Sequence, residues 1–512
     1  MSREKENSSN SLIAKNATML YLRMFISMAI SFYTSRIVLQ ALGVSDYGIY
    51  NLVGGIVVLV NMLSSALNGA TSRFLTYALG LHDDDTLRRT FSTALIIHCG
   101  LALLFFFVAE TVGLWFVNTQ LVIPIDRMVA ANWVYQSAII STMLGITQVP
   151  YNSLITSHER FGIFAVIDIL NSCLKLGIAF VVLYSLKDHL VLYSILYAIV
   201  AITIMLYYRY YCIKHFPESR FQRVLDKSLL PEMLKFSGWN LFGNVSLTAS
   251  QQGLNIILNW FFGTIINAAA GVALQVQAIL YAFIGNISAA FRPQVIKEYA
   301  VENYERVNYL IDFGAKLSSF FTLLISIPII LKMDFLIPLW LENVPEGTII
   351  ICQLLLVMNF FNSFNPLPYA AITATGKVKI VNMICGTINL LQIPLIYILL
   401  RLTHSYIYAY ILNIGLPICT GIAYLVILKL YMKEFQLQCF IIKNILLMTL
   451  IGLITLGICY YLNRILTNQW IAIFVILLTS TILTSLMVYF GVIDAKMRKN
   501  INKVIKKRII RE

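Results

Sequence analysis

Seven charged side chains lie inside stretches that are otherwise apolar: Arg23, Arg36, Lys175 and Lys316, and the carboxylates Glu110, Asp168 and Asp312. Charge within a membrane-length apolar run is expensive, so each of the seven is a candidate for function or for a structural ion pair. A guanidinium grips phosphate through paired, charge-assisted hydrogen bonds. At about 100° per residue, Arg23, Ser27, Ser31 and Thr34 fall within roughly 80° of one helix face. Arg23 therefore heads a polar stripe and is the first candidate ligand for a phosphate-type anion, with an ion pair to a carboxylate on another helix as the alternative. Arg36 lies on a different face near the helix end, where it can also snorkel to the surface; it joins the candidate anion ligands together with Lys175. Asp168, Asn171, Ser172 and Lys175 share about 100° of a second helix. Asp168 suits a coupling proton or sodium ion, or a structural pair with a cation elsewhere. Asp312 and Lys316 are spaced i,i+4, which predicts a local salt bridge. Glu110 is given no role.

Uncharged polar stripes carry more weight than any single charge. Asn240, Asn244, Thr248, Gln251, Asn255 and Asn259 occupy about 100° of arc over five turns, a surface that lipid would not accept. Asn61, Ser65, Asn68 and Ser72 repeat the pattern, as do Asn382, Asn389 and Gln392. Asn61, Asn68, Asn240, Asn244, Gln251, Asn255 and Asn389 are the expected lining of a wet cavity for a hydroxyl-rich head group; interhelical amide bonding is the alternative.

Other chemistries find no residues. There is no GxxxxGK[ST] phosphate loop, since Ala374–Lys379 lacks both the first glycine and the terminal Ser/Thr. The six histidines are dispersed and His158-Glu159 is no HExxH. The eight cysteines show neither CxxC spacing nor a disulfide framework. Asp83–Asp85 reads as a helix-start carboxylate cluster. No catalytic residue, metal or cofactor is expected, apart from a coupling Na+ or H+, and the chain reads as a non-enzyme.

The elements that must hold these groups follow from composition. The 512 residues are 59% hydrophobic and only 12% charged, with mean hydropathy +0.78. An ordinary soluble chain is nearer 45–50% apolar and about 25% charged, so this is an all-α integral membrane protein. Each span needs roughly 20 apolar residues, and the apolar runs yield about fourteen candidates. Helices 1 to 14 are expected near 15–39, 49–72, 91–117, 129–152, 162–186, 190–212, 232–261, 268–291, 309–331, 348–372, 379–400, 405–428, 440–462 and 469–491. Pro150, Pro328, Pro366, Pro368, Pro394 and Pro417 are candidate kinks. The N-terminus has no signal-peptide pattern.

With the N-terminus cytoplasmic, the cytoplasmic segments hold 29 Lys and Arg and the opposite side only Arg127, Lys187, Lys332, Arg401 and Arg464. That bias places both termini in the cytoplasm. It also accounts for the net charge of +14, because the tail from Lys496 to Arg511 reads as an anchor on anionic lipid, at roughly 1 kcal/mol per cation. Without aromatic interleaving or a folded module, nucleic-acid binding is not expected.

The chain also aligns with itself. Gly43 meets Gly263, Arg73 meets Arg292, Pro150-Tyr151 meets Pro368-Tyr369 and Asn171 meets Asn389, all offset by about 218–220 residues. The expected organisation is a six-helix bundle over 1–218, a second over 219–434, an extra helix pair over 435–495 and a basic tail over 496–512. An even helix number makes this a parallel repeat, the arrangement of some secondary transporters, in which two bundles rock about a central site.

RIVLQALGVSDYGIYNLVGG (Arg36–Gly55) followed by SALNGATSRFLTYALG (Ser65–Gly80) resembles the opening of Wzx-type polysaccharide or O-antigen flippases of the multidrug/oligosaccharidyl-lipid/polysaccharide exporter superfamily. Length, helix number and the 6+6+2 layout extend the resemblance along the chain, and the layout is also similar to MurJ-type flippases. The resemblance implies movement of an undecaprenyl-pyrophosphate-linked oligosaccharide, an O-antigen or capsular repeat unit, across a bacterial inner membrane by alternating access. A glycan polymerase and a chain-length regulator would be pathway partners. A cation-coupled multidrug or small-solute exporter is the alternative, although its substrate would favour an acidic cavity. A membrane glycan polymerase is a further one, with the external loops here too short for the domain expected of it.

Overall fold

The computed structural model describes residues 2–119, 123–222, 226, 228–340, 344–493 and 498; inside helices the side chains of 2–11, 13, 32, 35, 39, 44, 45, 47, 48, 51–67, 259, 263–265, 267 and 268 are not described. The side chains of Asn61, Ser65 and Asn259 and the basic tail other than Arg498 therefore lie outside the described residues, whereas the chain break expected around Gly263 is replaced by continuous helix. All regular structure among the described residues is helical. Among the described residues, eleven helices are long and apolar enough to cross a membrane. The expected helices 2, 4 and 7 are not among them; helix 4, Met128–Ser157, is helical but carries polar residues such as Gln136, Gln148 and Asn152 all around it, and helix 2 runs through undescribed side chains.

Helices 1 and 2 form one helical run, Ser2–Gly80, broken at Gly43, whose φ of 72° and ψ of 170° are accessible to a residue without Cβ. Helix 3 starts at Asp84 and contains a π turn at Ala109–Gly113. Helices 5 and 6 are Phe161–Leu183 and His189–His215. Helices 7 and 8 share the run Leu229–Ala300, and helix 9 is Tyr304–Leu331. Helix 10 is interrupted between Asn362 and Pro366, since Pro366 and Pro368 cannot continue the ladder of the preceding turn. Helices 11 and 12 are Val378–Thr403 and Tyr406–Tyr431. Helices 13 and 14 occupy Leu437–Ile465 and Gln469–Val492.

The turns repeat along with the sequence. His82 and Glu302 both adopt positive φ, 54° and 57°. Each precedes an N-cap: Asp83 accepts from the Thr86 N–H at 3.0 Å, and Asn303 from the Arg306 N–H at 3.3 Å. Further along, Glu159 and Gly376 match in the same way, with φ of 59° and 75°. Left-handed backbone at a non-glycine residue costs about 1–2 kcal/mol, so its recurrence at matching positions reflects the same helix-ending geometry used twice.

Two compact units result. The first comprises 1–245 with 296–301 and 376–379, so it includes ends of helices 8 and 11 that sequence continuity would assign to the second bundle; the second comprises 246–295, 302–375 and 380–512. Phe91, Leu154, Ile155 and Tyr135 are buried at the centre of the first, and Leu258, Ile351, Leu356 and Ile396 at the centre of the second. In lipid, close packing and polar pairs hold helices together better than apolar burial does. In the first unit Thr76 donates to Ser157 at 2.8 Å and Ser153 to Asn68 at 2.8 Å. In the second, Gln392 bonds Ser250 and donates to Asn413 at 2.7 Å, tying helices 7, 11 and 12. The extra helix pair docks on helix 9 of the same unit: Asn444 donates to Asp312 at 2.7 Å and Lys332 to Gln469 at 2.7 Å.

Candidate functional site

Helices 4, 5 and 6 of the first unit line a partly open cavity of about 300 Å³. Helix 5 supplies Asp168, Asn171 and Lys175, helix 4 supplies Gln148 and Asn152, and helix 6 supplies Tyr197 and Tyr208. The three helix-5 residues meet there because they share one helical face. Gln148 donates to Asn152 at 3.2 Å, one turn apart on either side of Pro150.

Asp168 is the centre of charge. Ser27 of helix 1 donates to its Oδ2 at 3.1 Å, and Arg23 Nε lies 3.8 Å from the same oxygen, with side-chain exposures of 22% for Arg23 and 36% for Asp168. The contact is electrostatic without a hydrogen bond: Arg23 Nε is sealed from solvent and has no partner. The guanidinium rests 4.9 Å from the centroid of the Phe164 ring. Among the described residues Lys175 pairs with no carboxylate; its Nζ donates to the Tyr197 hydroxyl at 3.0 Å and sits 4.6 Å from that ring. One carboxylate, two cations, three side-chain amides and two phenols therefore converge. Such a set hydrogen-bonds sugar hydroxyls and retains a net positive charge toward an anion.

Arg36 is exposed and outside this group. On helix 7, Gln251 is exposed and Asn244 and Asn255 half-buried, whereas Leu254 and Leu258, which flank the stripe within about 60° of Gln251, are 7% and 0% exposed. The polar stripe thus runs along the margin of the buried face. Asn240 and Asn389 are buried, the latter with an unpartnered Oδ1, and Asn68 accepts from Ser153. Asp312 pairs with Lys316 at 2.6 Å, as their spacing predicts. Glu110 accepts from Gln136 at 3.2 Å.

Several polar residues of the first unit carry no signal in the sequence reading. Gln148 and Asn152 form an i,i+4 amide pair inside an apolar helix, a pattern that could have found them. Arg127 bonds both Asp46 and Asp188, the latter at 2.6 Å, and so ties together three connections at one end of the unit. Those hydrogen bonds, from Asp188 first and Asp46 second, push Arg127 above its ordinary range. The hydrogen bond from Arg127 in turn holds the Asp188 carboxyl below the usual carboxylate range, against the opposing effect of burial. Asp188 also caps helix 6 through the Leu190 and Val191 N–H groups.

No protein-family model and no curated protein matches the chain. Solved structures do. An outward-facing multidrug resistance MATE family transporter of the MOP superfamily superposes with TM-score 0.71 at 14% identity, covering 83% of this chain and 97% of its own. A MATE structure in the straight conformation gives 0.72 at 14%, again over 83% and 97%. A MOP superfamily transporter from Pyrococcus furiosus, described as having a binding pocket of reverse polarity that suggests a different function, gives 0.68 at 14% over 84% and 96%. The chain therefore has the MATE-type transporter fold, with additional length of its own.

Proposed function

We propose that this chain is an export flippase for a lipid-linked oligosaccharide, moving the glycan head from the cytoplasmic to the outer leaflet of a bacterial inner membrane by alternating access. The observation that carries this reading is the charge around the first-unit cavity: Asp168 and Lys175 line it among amides and phenols, and Arg23, 3.8 Å from Asp168 though not itself a lining residue, makes the cations outnumber the carboxylate. In this reading Arg23 and Lys175 bind the pyrophosphate, with Arg36 an accessory cation nearer the surface. The exposed polar stripe of helix 7 borders the path of the sugars, and Asp168 takes any coupling Na+ or H+. The bias of Lys and Arg puts both termini in the cytoplasm.

A cation-coupled multidrug exporter is the second reading, favoured by the multidrug resistance MATE transporter among the structural neighbours. Cavity polarity separates the two, since a cationic drug is repelled by the surplus positive charge that attracts a pyrophosphate. The test is deletion of the gene in its host with analysis of surface glycan and lipid-linked intermediates. Accumulated undecaprenyl-linked repeat units, relieved by the intact chain, support the flippase. Normal glycan together with increased sensitivity to cationic drugs overturns it in favour of the exporter.

A further inference from the structure

At the Arg127 end of the first unit, one histidine is bonded at both ring nitrogens. His189 is the first residue of helix 6 and is half-buried. Its Nδ1 lies 2.6 Å from the Ala41 carbonyl oxygen and its Nε2 3.0 Å from the Ser185 carbonyl oxygen. A carbonyl oxygen can only accept, so both nitrogens must donate. The neutral ring has a single N–H, whereas the imidazolium has two. With a neutral ring, a nitrogen lone pair would face one of the two carbonyl oxygens, and that contact would open.

The surroundings favour the charged ring. Non-helical φ and ψ at Gly43 end the regular ladder of helix 1, which leaves the carbonyls of the preceding turn, that of Ala41 among them, short of intrahelical donors. Ser185 lies just past the end of helix 5 at Leu183. Both carbonyls thus sit at helix C-termini, whose dipoles attract a cation. The charges nearby leave room for one. Asp46, just past the Gly43 break, and Asp188, beside His189, share the single guanidinium of Arg127, and two carboxylates against one guanidinium leave a negative charge for an imidazolium to balance. Asp126 and Lys187, next to Arg127 and Asp188 in the chain, are exposed and of opposite sign. The second unit makes the same junction differently. By helix order the counterpart of His189 is Tyr406, also the first residue of its helix, and its ring packs 5.7 Å from that of Phe262, the residue before the Gly263 that matches Gly43.

We infer that His189 is a proton-binding site: its imidazolium ties the end of helix 1 to the turn after helix 5, and loss of the proton frees one of the two. The Lys and Arg bias puts this end of the unit on the side opposite the termini, so the site exchanges its proton with the outer medium. An unperturbed histidine changes charge between about pH 5 and 8, which makes the tie responsive to the acidity on that side. The residue is not among those lining the cavity around Asp168, and the inference does not depend on what that cavity carries.

The test uses the full chain in detergent, with its six histidines labelled with carbon-13 and nitrogen-15 for magnetic resonance. The ring signal missing from the His189→Gln protein belongs to His189 and should show protons on both nitrogens at pH 6. Melting is then followed from pH 6 to 9 in both proteins, so that the other five histidines cancel in the comparison. A contact made only by the protonated ring stabilises the fold at low pH and is lost as the pH rises through the titration of that ring. The native chain should therefore melt above His189→Gln at pH 6 by a margin that shrinks as the pH is raised, and the margin should fall over the same pH interval in which the His189 signal loses its second proton. A neutral tautomer at pH 6, a margin independent of pH, or a His189→Gln protein as stable as the native chain at pH 6 would overturn the inference.

Discussion

Replacing Arg23 with alanine should separate transport from folding. At 3.8 Å from Asp168 the two charges attract by about 1 kcal/mol in water and about 4 kcal/mol at an effective dielectric of 20. With Asp168 36% exposed and no hydrogen bond between them, the pair belongs near the weak end, about 0–1 kcal/mol. Asp168 keeps its bond from Ser27, so no buried charge is orphaned. Stability should therefore change by no more than about 1 kcal/mol. A charge-assisted hydrogen bond to a phosphate is worth about 1.5–3 kcal/mol, so losing one should lower the affinity for the lipid-linked substrate by about 10- to 150-fold. Arg23→Lys keeps the charge without the fork and should fall between. The assay is complementation of surface glycan at matched protein in the membrane, alongside melting of the purified variants. Full complementation by Arg23→Ala would remove Arg23 from the site, and a transport loss matched by loss of folded protein would make it structural.

In a cysteine-free background, single cysteines at Asn244, Gln251 and Asn255 should label with a hydrophilic thiol reagent and those at Leu254 and Leu258 should not; equal labelling would mean that the stripe does not border water. Gly113→Ala puts a Cβ 2.0 Å from the Tyr135 hydroxyl, which is buried and bonded to the Ala109 carbonyl at 2.7 Å. Melting should report a loss of about 2–4 kcal/mol, largely restored by adding Tyr135→Phe, and an unperturbed single variant would show that helix 3 yields instead. Because the folded pKa of Asp188 is depressed, its stabilisation is present above the unfolded value of about 3.9 and is lost as pH falls through the folded value. Stability measured downward from pH 5 should therefore decline less in Asp188→Asn than in the native chain, and parallel curves would contradict the role of Arg127. For a pyrophosphate-linked substrate in liposomes, a potential negative on the loaded side should accelerate flipping without nucleotide, at about 2.3 kcal/mol per charge per 100 mV. Indifference to the potential at fixed pH and sodium would require co-moving cations.

What was legible in the sequence is what a single helix determines. Rotation of about 100° per residue put Asp168, Asn171 and Lys175 on one face, and all three line the same cavity. Apolar run lengths gave eleven of the fourteen expected spans, Pro366 and Pro368 gave the break in helix 10 while Pro150, Pro328, Pro394 and Pro417 lie within continuous helices, and i,i+4 spacing gave the Asp312–Lys316 pair. What depends on two helices was not legible. That Arg23 meets Asp168, or that Lys175 meets Tyr197, follows from how helices 1, 5 and 6 cross, and crossing angles are set by side-chain ridges on both partners. The same limit explains why two polar stripes of similar pattern have different surroundings. Helix 7 leaves Gln251 exposed, while Gln392 of helix 11 spends its amide on Ser250 and Asn413. Periodicity identifies a face that must avoid lipid, but whether water or another polar group meets it depends on other helices, as with Asn413 and Ser250, 21 and 142 residues from Gln392. Arg127 makes the case most sharply: its carboxylates, Asp46 and Asp188, are each more than sixty residues distant in sequence, and nothing in the segment around Arg127 encodes either of them.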